Sequence, residues 1–197
     1  MPDVILFIFL VLLAYIVGSI PSGFLVAKMR GVQDIRKLGS GNIGATNVAR
    51  TLGIKFFFLI FFLDFFKAFS FLYLLHMFGF SQQNLIACAL AIFLGNGFSL
   101  FLGFKGGKGV ATSFGIVLAL QPSLLIFLFI VWAIVFVYTK TVGVASIVVL
   151  AVMPFFSLYF LRSNFLLFSL MLCIAILGLF FHRNNIKKLY NKHLEKM

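Results

Sequence analysis

Acidic side chains are the scarcest feature of this sequence, with 4 Asp and Glu against 16 Lys and Arg in 197 residues. Carboxylates so few and so scattered cannot assemble the acidic cluster that holds Mg²⁺, and no grouping of His, Cys and Asp has the spacing of a zinc site. No metal and no cofactor is expected. Cysteine is almost missing as well. Cys88 and Cys173 lie inside apolar runs without metal-type spacing and read as inert thiols, which leaves the redox compartment undecided. Charged residues make up 10% of the chain and hydrophobic ones 63%, where a soluble domain has roughly 25% and 45–50%. Such a chain cannot cover itself with polar surface, so it belongs in a bilayer. It shows no internal repeat, no low-complexity linker and no soluble domain, and residues 1–197 read as one polytopic membrane domain. Asp3, and no basic residue, precedes the first apolar run, and no small-residue cleavage site follows it. Residues 4–20 therefore read as a retained helix.

About 20 apolar residues are needed to cross the hydrocarbon layer. Val4–Ile20, Phe56–Phe80, Asn84–Phe104, Val142–Leu161 and Asn164–Phe181 are such runs. The stretch Gly109–Tyr138 is either one long helix or two short ones turning at Gln121-Pro122-Ser123. Basic residues accumulate on the cytoplasmic side. With a turn at Pro122, all of the 16 Lys and Arg share one side except Arg162, outside, and Lys67, within a span. The expected fold is thus all-α and membrane-integral, with seven transmembrane helices, the N-terminus outside and the C-terminus in the cytoplasm. Some helices are short or broken. Val110–Leu120 covers only about half the hydrocarbon layer at a rise of about 1.5 Å per residue. It must be tilted, shielded, or extended by the glycine segment before it. Gly95-Asn96-Gly97-Phe98-Ser99 in the third run signals either a broken helix at a binding cavity or close helix packing at small residues.

The net charge of +12 suits anionic lipid headgroups and anionic substrates. Nucleic acid is not expected as a partner, because the positive residues lie in short loops and form no soluble basic domain. Two glycine-rich cationic segments stand out in the greasy chain. The first is Gly39-Ser40-Gly41-Asn42-Ile43-Gly44-Ala45-Thr46-Asn47, followed by Arg50. Its Gly39-x-Gly41-x-x-Gly44 spacing matches a dinucleotide fingerprint, which has meaning only between a strand and a helix. Membrane helices flank it here, so the nucleotide reading fails. What survives is a flexible turn presenting N–H groups, with Ser40, Asn42, Thr46 and Asn47 as neutral donors and Arg50 able to fork onto a phosphate. The alternative is an ordinary polar loop. The second segment is Phe104-Lys105-Gly106-Gly107-Lys108-Gly109-Val110-Ala111-Thr112. It is no Walker A loop, because Leu102 stands where the first glycine should be. It still sets two cations and free N–H groups at one helix N-terminus, which a plain positive-inside anchor would not require. Near the end come His182-Arg183-Asn184-Asn185. His182 and Asn185 share a face if the helix continues, and His182 is a general base, a phosphate ligand or an interfacial residue. Asp64 and Lys67, three apart within a span, read as a structural ion pair. Ser146, on periodicity, is a serine bonded back to its own helix.

Together these segments resemble the three cytoplasmic motifs of the bacterial acyl-phosphate-dependent glycerol-3-phosphate acyltransferases. Gly18-Ser19-Ile20-Pro21-Ser22-Gly23 and Leu63-Asp64-x-x-Lys67 are also similar to that family, so the resemblance covers nearly the whole chain in order. It implies acyl transfer from acyl phosphate to the 1-hydroxyl of sn-glycerol 3-phosphate, giving lysophosphatidic acid and phosphate, at the cytoplasmic face of a bacterial inner membrane. The implied enzyme is a monomer that meets membrane lipids and uses neither acyl-CoA nor a metal. The chain departs from the family at Asn96, often histidine there, and at Asn184, often glutamate; both are read as supporting positions. The resemblance assigns Ser40, Arg50, Lys108, His182 and Asn185 to catalysis. It assigns Gly39, Gly41, Asn42, Gly44, Thr46, Asn47, Lys105, Gly106, Gly107, Gly109, Thr112 and Ser146 to substrate binding. The proton acceptor is His182 or a substrate phosphate oxygen, with the latter preferred. Ser40 ranks lower as a covalent nucleophile because no base is evident beside it. The rival class is a transporter or flippase for an anionic lipid, which would want an outward pathway and usually inverted repeats. A CDP-alcohol phosphotransferase would need the missing acidic cluster.

Overall fold

The structure, a computed structural model, describes residues 2–161 and 164–194. Arg162, read as the basic residue of an outer loop, and Lys196 of the basic tail lie outside them. The chain forms two compact units that divide at Gln121.

The first unit contains α1 (Pro2–Ser19), α2 (Ser22–Met29), α3 (Ala45–Leu52), α4 (Ile54–Met77), α5 (Gln82–Gly97) and α6 (Val110–Leu120). Pro21 separates α1 from α2, which are bent by 41°, because proline disfavours helical backbone in the residue before it. α1 and α5 meet backbone to backbone. A Cβ on Gly18 would fall on the Ile92 backbone, and one on Gly95 would fall on the Tyr15 carbonyl and 2.9 Å from the Ser19 nitrogen. Small residues permit this approach where no water can drive helices together. The polar stretch in the third run therefore does not break the helix. α5 stays helical through Gly97, the glycines serve packing, and the chain leaves the helix only after them. Ser99 Oγ then donates to the Ser19 carbonyl at 2.6 Å, and Tyr15 Oη to the Phe98 carbonyl at 2.6 Å.

Between α2 and α3 the chain makes a 3-10 turn at Ile35–Lys37, capped by Asp34, whose carboxylate accepts from the Arg36 N–H at 2.9 Å. Ala27, Ile35, Ile43, Val48 and Ile60 bury together and tie this loop to α2, α3 and α4. α6 is short, as expected, and is shielded. Thr112 through Val117 are buried, and a Cβ on Gly115 would meet the Phe65 carbonyl of α4.

The second unit contains α7 (Pro122–Thr139), α8 (Val142–Phe160), α9 (Phe165–Phe181) and α10 (Arg183–Leu194). The break expected at Gln121-Pro122 is present. α9 packs on α8, with Gly178 admitting the Leu150 side chain. Among the described residues four helices have the length and apolarity to cross a membrane, or six if each bent pair counts as one span. α6, at 11 residues, has the composition of the expected further crossing without its length.

Candidate active site

The first glycine segment is a loop closed on itself. Gly39 and Gly41 take positive φ, 59° and 73°, which favours glycine. The buried Asn47 side chain reaches back across the turn. Its oxygen accepts from the Ser40 N–H at 2.7 Å, and its amide donates to the carbonyls of Asn42 at 2.8 Å, Leu38 at 3.0 Å and Ile35 at 3.3 Å. A Cβ on Gly39 would collide with that Asn47 oxygen. Asn42 accepts from the Gly44 N–H at 2.7 Å, and the Gly41 N–H donates to the Leu38 carbonyl at 3.0 Å. These groups were expected to face a phosphate, but they shape the loop instead. The donors left over include the Ser40 and Thr46 hydroxyls, the Asn42 side-chain amide, whose oxygen alone is used, the first N–H groups of α3 at Ala45 and Thr46, which have no acceptor within the helix, and Arg50. Arg50 is exposed and one helical turn from Thr46.

The second segment shows the same economy. The Gly106 N–H donates to the Gly97 carbonyl at 2.9 Å and the Gly107 N–H to the Asn96 carbonyl at 2.8 Å. Carbonyls at the end of α5, which the helix itself cannot satisfy, are thereby paired. A Cβ on Gly106 would collide with the Asn96 carbonyl and stand 2.7 Å from that of Gly97. The glycines here admit backbone, and the Gly106 and Gly107 N–H groups, expected to cradle phosphate, are occupied. Gly109 starts α6 with φ 79°; a Cβ there would meet the Phe93 ring. Beyond it lie the first N–H groups of α6. The Thr112 hydroxyl in that turn is fully buried and has no hydrogen-bond partner. Lys105 is exposed and Lys108 half-buried.

The two segments are neighbours. A Cβ on Gly107 would lie 3.8 Å from Ile43 Cγ1 and 3.2 Å from the Asn96 amide nitrogen. The first unit thus sets both glycine segments side by side. Asp64 and Lys67 form the expected ion pair at 2.8 Å.

The second unit carries the remaining candidates. α9 ends at Phe181 and the chain bends by 56° into α10, with the Asn185 and Ile186 N–H groups bonded to the His182 carbonyl at 2.8 and 3.0 Å. His182 is buried, and its Nδ1 lies 2.8 Å from the Gly178 carbonyl. A carbonyl only accepts, so Nδ1 carries the proton and Nε2 is the basic nitrogen in the neutral ring. A Cβ on Gly143 would lie 2.6 Å from the Asn185 amide nitrogen, so α8 opens a space for that side chain. Gly178 meets Leu150 and Gly143 meets Asn185, so α9 and the start of α10 both lie against α8; His182 and Ser146 are both buried. Ser146 Oγ donates to the Val142 carbonyl at 2.9 Å, the back-bonded state its periodicity implied.

Comparison with known proteins gives one consistent result. The profile of the family described as glycerol-3-phosphate acyltransferase matches residues 8–192. The chain is 43% identical to a glycerol-3-phosphate acyltransferase of Aquifex aeolicus, over 92% of this chain and 94% of that one. It is 43% identical to one of Thermus thermophilus, over 90% and 88%. It also superposes on the crystal structure of PlsY (YgiH), an integral membrane glycerol 3-phosphate acyltransferase, in its glycerol 3-phosphate form. The TM-score is 0.88 at 41% identity, covering 94% of this chain and 92% of that one. The lysophosphatidic acid form gives 0.85 at 40% identity, with the same coverage.

Proposed function

The chain belongs to the glycerol-3-phosphate acyltransferase family, and from that premise we propose the donor, the residues and the orientation of its reaction. The enzyme acylates glycerol 3-phosphate to lysophosphatidic acid, a step of phospholipid synthesis. We take the donor to be an acyl phosphate. The 1-hydroxyl oxygen attacks the acyl carbonyl, the bond from that carbon to the phosphate oxygen breaks, and inorganic phosphate leaves. An acyl phosphate is already activated, so orientation and stabilisation of the developing oxyanion matter more than a strong acid.

The observation that carries this reading is the set of donors without intramolecular partners in and just before α3, where Arg50 is in the last turn, and in the first turn of α6. They are the Ser40 and Thr46 hydroxyls, the Arg50 guanidinium and the buried Thr112 hydroxyl. An orphaned buried hydroxyl costs roughly 1–3 kcal/mol, and Thr112 shares that state with Ser19 among the described residues. Lys105 and Lys108 add charge beside the same helix start. Glycine and asparagine residues of both segments shape the site, and the hydroxyls, helix starts and cations bind. The proton of the attacking hydroxyl passes to an oxygen of a substrate phosphate; His182 is the alternative acceptor, and Asn185 is assigned to orient substrate. Seven crossings, with both glycine segments facing the cytoplasm of a bacterial inner membrane and the enzyme acting as a monomer, complete the proposal.

Purified protein given palmitoyl phosphate, with and without glycerol 3-phosphate, tests the donor. Phosphate release that needs both substrates, matches lysophosphatidic acid formed and is indifferent to EDTA is expected. Turnover with palmitoyl-CoA and none with palmitoyl phosphate would replace the donor.

A further inference from the structure

An ammonium group inside a membrane bundle must be fully partnered to be tolerated, and the partners of Lys67 are unusually placed. Its side chain is 9% exposed. It donates to Asp64 Oδ1 at 2.8 Å, to the Ile20 carbonyl at 3.0 Å and to Asn96 Oδ1 at 3.1 Å. All three ammonium donors are therefore used. None of these contacts lies in a regular helix–helix seam, where glycines already pack α1 on α5. The Ile20 carbonyl falls just beyond the end of α1, and Asn96 is in the last turn of α5. Asp64 accepts a second bond, from Ser22 Oγ at 2.9 Å, in the first turn of α2. The pair thus grips the points at which regular helix gives way to irregular chain.

Each grip leads directly to one glycine segment. Beside Ser22, a Cβ on Gly23 would fall on the Ile43 carbonyl of the first segment. Ser22 and its neighbour therefore set where that loop lies. On the other side, the carbonyls of Asn96 and Gly97 accept from the Gly107 and Gly106 N–H groups, and the Asn96 amide nitrogen faces Gly107. We propose that the Asp64–Lys67 pair is a positioning hub that holds the two glycine segments in register, through Ser22 to the first and through Asn96 to the second. Its two residues do not touch substrate. Their importance for turnover rests on the reading of both segments as phosphate sites.

Amide hydrogen exchange and steady-state kinetics on the full-length protein in detergent separate the two ideas. The variants are Ser22→Ala, Asn96→Ala and Lys67→Met. Asn96→Ala should speed exchange at Gly106 and Gly107 at least tenfold and leave the bonded amides of Ser40, Gly41 and Gly44 protected. Ser22→Ala should do the reverse, and Lys67→Met should expose both. Should Lys67→Met fail to fold, the two uncharged variants still carry the test. Unchanged exchange in both of them, or the same pattern in both, overturns the hub. In kinetics the two variants should raise KM for different substrates by fivefold or more, while Lys67→Met raises both. The crossed exchange pattern with wild-type kinetics would leave the hub standing and overturn the phosphate-site reading.

Discussion

Adding one methyl group to Gly106 probes how the second glycine segment is built. Gly106 lies outside the left-handed region, so alanine meets no special backbone strain there. The obstacle is space. The new Cβ would stand 2.7 Å from the Gly97 carbonyl oxygen, where ordinary contact begins at 3.4 Å, and closer still to that of Asn96. Restoring contact needs a retreat of about 0.7 Å or more. The Gly106–Gly97 hydrogen bond of 2.9 Å would then stretch to about 3.6 Å, too long to count as one. The Gly107–Asn96 bond would go with it. Two bonds at about 0.5–1.5 kcal/mol each, plus carbonyls left without partners at about 1–3 kcal/mol in all, come to roughly 2–6 kcal/mol. Applied to the population of the competent loop, at 1.4 kcal/mol per tenfold, this lowers kcat/KM by roughly 30-fold or more. Lysophosphatidic acid formation by the purified variant measures it. Gly103→Ala is the control: its φ is positive at 60° and its Cβ would meet nothing within 4 Å. It should cost stability through strain yet keep kcat/KM within about threefold. A Gly106→Ala enzyme within about threefold of wild type would refute the argument.

Three further outcomes are expected. Gly143→Ala, which would push on the Asn185 amide from 2.6 Å, should lower activity as Asn185→Ala does, and the double variant should be no worse than either single one; additive losses would mean that the contact is incidental. Asn47→Ala removes the clamp on four backbone groups and should cost about 2–4 kcal/mol, read as a lower melting temperature and faster exchange at the Ser40 amide; an unchanged melting temperature would count against the clamp. The Asp34 carboxyl is held down to about 2 from its ordinary 3.8, first by hydrogen bonds from the Arg36 side chain and backbone. A depressed carboxyl stabilises the folded turn above the ordinary value and loses that contribution as pH falls toward the folded one. An NMR titration of that carboxyl should have its midpoint near 2, and a midpoint at 3.8 would show that the cap is not formed.

The apolar composition and the loop charges made the helices legible, and Pro122 marked the break between α6 and α7. The spacing of Asp64 and Lys67 implied their pairing, and the position of Ser146 implied its back-bond. The roles of individual glycines and asparagines were not legible. Gly-Lys-Gly patterns look alike whether an N–H faces a ligand or a carbonyl, and only the fold brings the end of α5 to Gly106 and Gly107. Asn47 reads as a donor for substrate until the turn places three carbonyls around its amide. Asn96 between two glycines left a broken helix and close packing equally open, because local propensity cannot see α1 lying against Gly95.

The central claim is that the two neighbouring segments bind the phosphates of the substrates. Calorimetric titration of glycerol 3-phosphate, and of a non-hydrolysable acyl phosphonate, into wild type, Arg50→Ala and Lys108→Ala tests it most directly. A charge-assisted hydrogen bond contributes roughly 1.5–3 kcal/mol, so each variant should bind at least one of the two ligands about tenfold to a hundredfold more weakly. Wild-type affinity for both ligands in both variants would contradict the account.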